Sequence, residues 1–170
     1  MIAPHSLVSI VGLRNQGFEG FVIVASLRCG NRSVIPNAPG VYLFLRDCES
    51  HPEFLTVRTG GRFQNRNPNK PLADLASEWV EDTLIVYVGQ TGSGTKGTLN
   101  KRIDDMIRFG QGTRAGHWGG RLIWQLAAAD QLLVFWRATY QDDPRSVEKE
   151  LLKSFKSFYG NRLPFASWRN

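Results

Sequence analysis

Leu84 to Ile103 reads LIVYVGQTGSGTKGTLNKRI, and the reading of this stretch decides the fold. Leu84 to Val88 is a β-branched and aromatic run with the composition of a strand. It ends at Gly89 in a polar, glycine-rich turn, after which a helix opens near Thr98 and carries Lys101 and Arg102. Strand, tight turn and helix in that order place one phenol, Tyr87, and one guanidinium, Arg102, close together on opposite sides of a turn. Such a pair suits a phosphate better than a hydrophobic core. The glycines with Lys96 could suggest a phosphate-cradling loop of the form G-x-x-x-x-G-K-[ST]. The register fails, because Thr95 precedes Lys96 and Gly97 follows it.

Working outward, Pro39-Gly40 starts Val41 to Arg46 (VYLFLR), a second strand by composition and the expected partner of Leu84 to Val88. Between them lies an insertion, residues 47–83. It holds Thr59-Gly60-Gly61-Arg62-Phe63, a polar Asn, Pro and Arg run to Pro71, and a short helix expected over Leu72 to Trp79. Gly60-Gly61 allows close backbone approach to a ligand, and the arginines around it either hold phosphates or are incidental surface charge. Downstream, the helix from Thr98 to Phe109 puts Leu99, Ile103 and Met106 on one face, with Arg102 at its border. Gly110 to Arg121 (GQGTRAGHWGGR) is a basic, glycine-rich loop. Its His117, beside Trp118, is either structural or a proton shuttle or phosphate contact.

Leu122 to Ala129 is expected as a short helix, and Leu132 to Tyr140 (LLVFWRATY) as a third strand. Asp143-Pro144 begins a last helix, with Asp143 as N-cap and Pro144 at its first position. Val147, Leu151, Phe155 and Phe158 form its expected buried stripe, with Glu148 at the edge. Residues 1–39 contain Phe18 to Leu27 (FEGFVIVASL), a strand or short helix, and are expected to form an N-terminal arm packed on the core.

The length of 170 residues fits one domain with a real core. No apolar run approaches the ~20 residues of a membrane span. Met1 to Leu13 lacks the basic start and long apolar stretch of a secretory signal. Cys29 and Cys48 have no metal-ligand spacing and read as reduced thiols. A cytoplasmic protein of prokaryotic, intracellular type with no membrane partner is the expectation. The net charge is +6 and is unevenly placed. Arg58, Arg62, Arg66 and Lys70 follow one another with no acid between them. Lys96, Lys101, Arg102, Arg108, Arg114 and Arg121 meet only Asp104 and Asp105. Either this is a solvated surface, or it is a polyanion groove with aromatic interleaving from Phe63, Phe109 and Trp118.

Gly40-Val41-Tyr42 and Tyr87-Val88-Gly89 together resemble the paired signature of the GIY-YIG nuclease superfamily. The resemblance extends in order over most of residues 40–170. Arg102 in TLNKRI matches the family's helix arginine, and Glu148 in VEKELLK matches its metal-binding glutamate, with Leu151 and Leu152 as the paired aliphatics that follow. The ending LPFAS is similar to a Pro-x-x-Asn ending with Ser167 in the asparagine's place, and the long insertion is a second departure. The resemblance implies an α+β fold, a small three-stranded antiparallel sheet flanked by helices, over residues 40–170. It implies a metal-dependent DNA endonuclease. Tyr42 would activate water, Tyr87 would orient water or phosphate, Arg102 would stabilise the phosphorane, and Glu148 would hold Mg²⁺ or Mn²⁺. Because the pKa of an ordinary phenol is near 10, Arg102, a basic neighbour such as Lys101 and the metal would have to lower that of Tyr42. His117 joins the catalytic candidates. Arg58, Arg62, Arg66, Lys70, Lys96, Lys101, Arg114 and Arg121 are the candidate nucleic-acid contacts. A binding module with weakened catalysis and a nuclease acting on RNA are the alternatives.

Overall fold

Ser9 caps the first helix, α1 (Ile10–Asn15), by accepting the Gly12 N–H, and the chain then enters strand β1 (Glu19–Ile23) and helix α2 (Val24–Arg28). Strand β2 (Gly40–Leu45), helix α3 (Leu72–Glu78) and strand β3 (Ile85–Gln90) follow. Helix α4 (Leu99–Gly110) is capped by the Thr98 hydroxyl, which accepts the Lys101 N–H. Two 3₁₀ turns, Arg121–Gln125 and Ala129–Gln131, stand where a short helix is expected. Strand β4 (Leu133–Ala138) leads to α5 (Pro144–Phe158), whose cap is Asp143, and a last 3₁₀ turn covers Phe165–Ser167. The computed structural model describes residues 9–62, 66–92, 97–113 and 118–167. None of the helices among them is long and apolar enough to cross a membrane.

The fold is α+β, and its sheet has four antiparallel strands in the order β1-β4-β2-β3 rather than three. The added strand comes from the first 39 residues. Phe18 to Leu27 divides into β1 and α2, because Glu19–Ile23 finds unpaired backbone along β4, with Glu19 opposite Trp136 and Ile23 opposite Leu133. The two tyrosine-bearing runs do pair. Tyr42 lies opposite Gly89 on one side and Trp136 on the other, and Phe44 lies opposite Tyr87.

Side chains along β2 alternate between two packed layers. Tyr42 and Phe44 face a cluster containing Ile103 and Met106 of α4, Leu122 and Trp124 of the 3₁₀ turn, and Trp79 and Phe165. Val41, Leu43 and Leu45 face the opposite cluster, with Leu13 of α1 and Val147, Leu151 and Phe155 of α5. Leu151 and Phe155 are each 1% exposed, a burial that contributes about 1.5–3 kcal/mol per side chain. Phe158 does not complete the α5 stripe and is 38% exposed. The helix ends there, and the next residue, Tyr159, instead lays its ring 4.4 Å from that of Phe155.

The insertion is tied to the core along the 3₁₀ turn at 121–125. Leu55 N–H donates to the Gln125 carbonyl, Thr59 N–H to the Trp124 carbonyl, and Gly61 N–H to the Phe109 carbonyl. The buried Gln125 side chain accepts the Lys70 N–H at 2.8 Å and donates to the carbonyls of Leu55 and Lys70 at 3.2 and 2.9 Å. One amide therefore closes both ends of the polar run, which satisfies backbone groups that would otherwise be buried unpaired.

Candidate active site

Tyr42 sits in the middle of the sheet with its hydroxyl buried and making no hydrogen bond of good geometry among the described residues, with Tyr87 and Arg102 its nearest polar neighbours. Its ring passes over the backbone of Gly89. A Cβ on that glycine would stand 2.5 Å from Tyr42 Cζ, 2.7 Å from its hydroxyl and 2.8 Å from the Tyr87 ring. Gly89 is glycine because two phenols close over it. The Tyr42 and Tyr87 rings lie 6.0 Å apart between centroids, and Phe44 touches both edge-on. Gly120, at φ +72°, gives Tyr87 its other wall. A Cβ there would lie 3.1 Å from Tyr87 Cζ and 2.2 Å from the Met106 methyl.

Burial raises both phenols above the ordinary tyrosine pKa. For Tyr42 the opposing pulls are the Arg102 guanidinium and the Tyr87 hydroxyl, and Glu148 adds a small push upward. Tyr87 goes well above the ordinary value, because Tyr42 and Glu148 add to the burial and only Arg102 opposes them. The two phenols are coupled, and burial opposes ionisation of either, with Arg102 the one cation that opposes that rise for both. Lys101 takes no part. Its ammonium pairs with Asp105 one turn on, at 3.5 Å, so the expected help from this neighbour falls to Arg102 alone.

Arg102 reaches this pair from the first turn of α4. The turn is placed by the Thr98 cap and by residues 32–38, to which the Asn100 side chain donates through the carbonyls of Arg32 and Ile35 at 3.0 and 3.2 Å. Arg102 is half-buried, its Nε is buried without a partner, and no ion pair to a carboxylate is found for it among the described residues.

Glu148 comes from α5, on the other face of the sheet. It meets Tyr87 because β3 is the edge strand, and a cleft of about 260 Å³ opens there between Tyr87, Glu148, Arg121, Trp118 and Ser167. Ser167 guards that edge. Its hydroxyl accepts the Val88 N–H at 3.1 Å and sits 3.4 Å from the Val88 carbonyl, which occupies the groups a further strand would seek. Glu148, the one carboxylate lining the cleft among the described residues, is a hard oxygen donor in an opening wide enough for water. That donor set fits Mg²⁺ or Mn²⁺, ions bound with one or two carboxylates and several waters.

The candidate nucleic-acid contacts are dispersed. Arg58 is spent on its own loop, donating to the Gly61 carbonyl at 2.8 Å and to Asn67 Oδ1 at 2.8 Å. Arg62 is exposed, and Lys70 is half-buried with its backbone held by Gln125. Arg66 reaches from the insertion to the Trp118 ring, 5.9 Å from its centroid. Arg121 is buried in the cleft wall. His117, Lys96 and Arg114 lie outside the described residues. Sequence reading singled out neither Gly89 and Gly120 as the walls of the phenol pocket nor Trp118 as the contact between insertion and cleft. The one available signal was the Trp-Gly-Gly-Arg run of 118–121 immediately before an apolar stretch. The chain matches no family model, no curated protein and no solved structure.

Proposed function

We propose that the protein is a metal-dependent nuclease that hydrolyses DNA phosphodiester bonds, as the GIY-YIG resemblance implies. One observation carries the reading. A buried hydroxyl, on Tyr42, makes no hydrogen bond of good geometry among the described residues, yet lies within electrostatic reach of Tyr87, Arg102 and Glu148, groups on three other elements of the fold. A buried polar group left unpaired is destabilising, and its retention together with an arginine lacking an acid points to a ligand.

In this reading Tyr42 Oη takes the proton of the attacking water. Tyr87 donates to Tyr42 Oη as it becomes anionic and so holds the charge there. Arg102 pairs its planar fork with the non-bridging oxygens, which gain charge as the phosphorane forms. Glu148 would hold Mg²⁺ or Mn²⁺, whose chemistry when bound is to neutralise charge on the phosphate and the leaving oxygen. Ser167 keeps the β3 edge closed, so that the strand bearing Tyr87 and Gly89 cannot shift.

The test is to incubate the purified protein with single- and double-stranded DNA and RNA, in Mg²⁺ and in EDTA. Cleavage of DNA in Mg²⁺ that stops in EDTA supports the reading. Cleavage confined to RNA moves the same site to an RNA substrate. Binding without cleavage of any of the four makes the domain a nucleic-acid-binding module.

A further inference from the structure

Arg121 is 4% exposed, and its Nε is buried without a hydrogen-bond partner. No carboxylate forms an ion pair with it among the described residues. Its guanidinium lies over the Trp118 ring, 4.4 Å from the centroid, and one Nη reaches the Trp118 carbonyl at 3.4 Å. These contacts hold the cation in place without neutralising it. Desolvation draws its pKa down, as expected of a charge that the fold buries and does not pair. The approach to Arg121 is fixed as well. Gly120 turns the chain at φ +72°, a conformation that strains any other residue, and a Cβ there would press on the Met106 methyl and crowd the Tyr87 ring.

A guanidinium stacked on an aromatic face keeps its edge N–H groups available, and those groups match the spacing of two phosphate oxygens. Arg121 lines the same cleft as Glu148 and Tyr87. Arg66 of the insertion stacks on the same tryptophan, which extends positive charge from the cleft to the molecular surface.

We infer that Arg121, held against Trp118, is a second phosphate-binding group of the cleft, in addition to Arg102, and grips a phosphodiester of the bound nucleic acid. The inference rests on the nucleic-acid reading of this site. It assigns a specific contact to an arginine that is buried, not merely one of several surface charges. The insertion then acts on the cleft through Arg66 and Trp118, not as a separate clamp.

The experiment is side-chain NMR on the full chain in EDTA. The Arg121 Nε–H signal, assigned through bonds to its own backbone, is followed during titration with a short oligothymidylate and, separately, with inorganic phosphate. The signal should shift with the oligonucleotide and saturate with its binding curve. Arg121→Met should weaken oligonucleotide binding about ten- to a hundredfold, the range of a charge-assisted contact, with Arg121→Lys between the two. An unmoved Arg121 signal overturns the inference, and this readout needs no variant to fold. So does wild-type affinity in a folded Arg121→Met protein. A shift with inorganic phosphate alone and none with oligonucleotide also overturns it, since the cleft would then take free anions. The nuclease reading fails separately. If the signal shifts with oligonucleotide but Mg²⁺ yields no cleavage, Arg121 still binds phosphate in a non-cleaving module. If Arg121→Met cleaves at the wild-type rate and binds normally, the Arg121 assignment alone is lost.

Discussion

Arg28 and Arg32, packed between α2 and α4, both meet acids: Arg28 reaches Asp130 at 2.7 Å, and Arg32 pairs with Asp104. Arg102 and Arg121, near the β3 edge, bury Nε atoms without partners and meet no carboxylate among the described residues. Arg28 also leaves its Nε unpartnered, but its Nη atoms are answered by Asp130 and by the Gly110 carbonyl at 3.1 Å. All four arginines are at least half-buried, so exposure does not separate them. The acids do. Where a cation joins elements, the fold supplies its counter-charge from within. Where it does not, no counter-charge is found among the described residues, and in the proposed reading the ligand supplies it.

Breaking the ligand side should have the largest effect. Tyr42→Phe keeps the ring, the strand preference and the packing over Gly89, and removes only the hydroxyl. Single-turnover cleavage at saturating DNA should fall roughly 10²–10⁴-fold, the usual worth of a proton-transfer group, with an unchanged circular dichroism spectrum. A rate near wild type would remove Tyr42 as the base. Arg102→Ala should come next, with turnover roughly 10²-fold down and DNA affinity nearly kept, because its contact tightens as the phosphorane forms. The reverse pattern, weak binding with normal turnover, would make Arg102 an anchor and blur its distinction from Arg28.

Gly89→Ala sharpens the comparison by perturbing the site without touching a charge. The new methyl would press on the Tyr42 ring at 2.5 Å. Chemical denaturation should show a loss of about 1–3 kcal/mol, as for overpacked cores, and cleavage should fall with it. Unchanged stability would mean that the phenols have room to move.

The phenols also set a pH limit. Both folded-state pKa values are raised above the unfolded value near 10. Between those values the folded protein binds more protons than the unfolded chain, so stability is full below about pH 10 and is lost as pH rises further. Cleavage should rise toward alkaline pH as Tyr42 ionises, and then be cut off by unfolding. Melting temperatures of Tyr42→Phe and Tyr87→Phe should fall less steeply above about pH 10 than those of the wild type. Parallel curves would mean that the phenols are hydrated.

Asp130→Asn should do least. Its carboxylate is about half-exposed, so the pair with Arg28 is worth at most about 1 kcal/mol, and turnover should not change. A large loss of cleavage in this variant would erase the distinction between the paired and unpaired sides.

Much of the fold around the candidate site was legible because its signals are local. Asp143 caps the helix it was expected to cap, a helix does open just after Thr98, and the aromatic and β-branched runs around Tyr42, Tyr87 and Phe135 are all strands. Arg102 and Glu148 could be placed on helix faces by counting turns. Other features were not legible in this way. Phe18 to Leu27 was ambiguous between strand and helix, because its composition favours a strand but its partner, β4, lies more than a hundred residues downstream. Phe158 fits the α5 period, but where that helix stops depends on what packs beyond it. Arg121 reads like any surface cation, and its burial follows from the loop that Gly120 turns beneath Tyr87.

The sequence by itself determined the strands around Tyr42, Tyr87 and Phe135 and the helices opening at Leu99 and Pro144, the order of the two tyrosine motifs, the arginine and the glutamate, and the excess of positive charge. Each of these depends on residues within a turn or two of one another, or on composition alone. Tertiary structure alone decided that β1 adds a fourth strand and that β3 lies at the edge. It also decided that Ser167 closes that edge and that Arg121 is buried and Arg102 half-buried with no acid paired to either among the described residues. Burial and charge pairing are set by neighbours far away along the chain, and no periodicity encodes them.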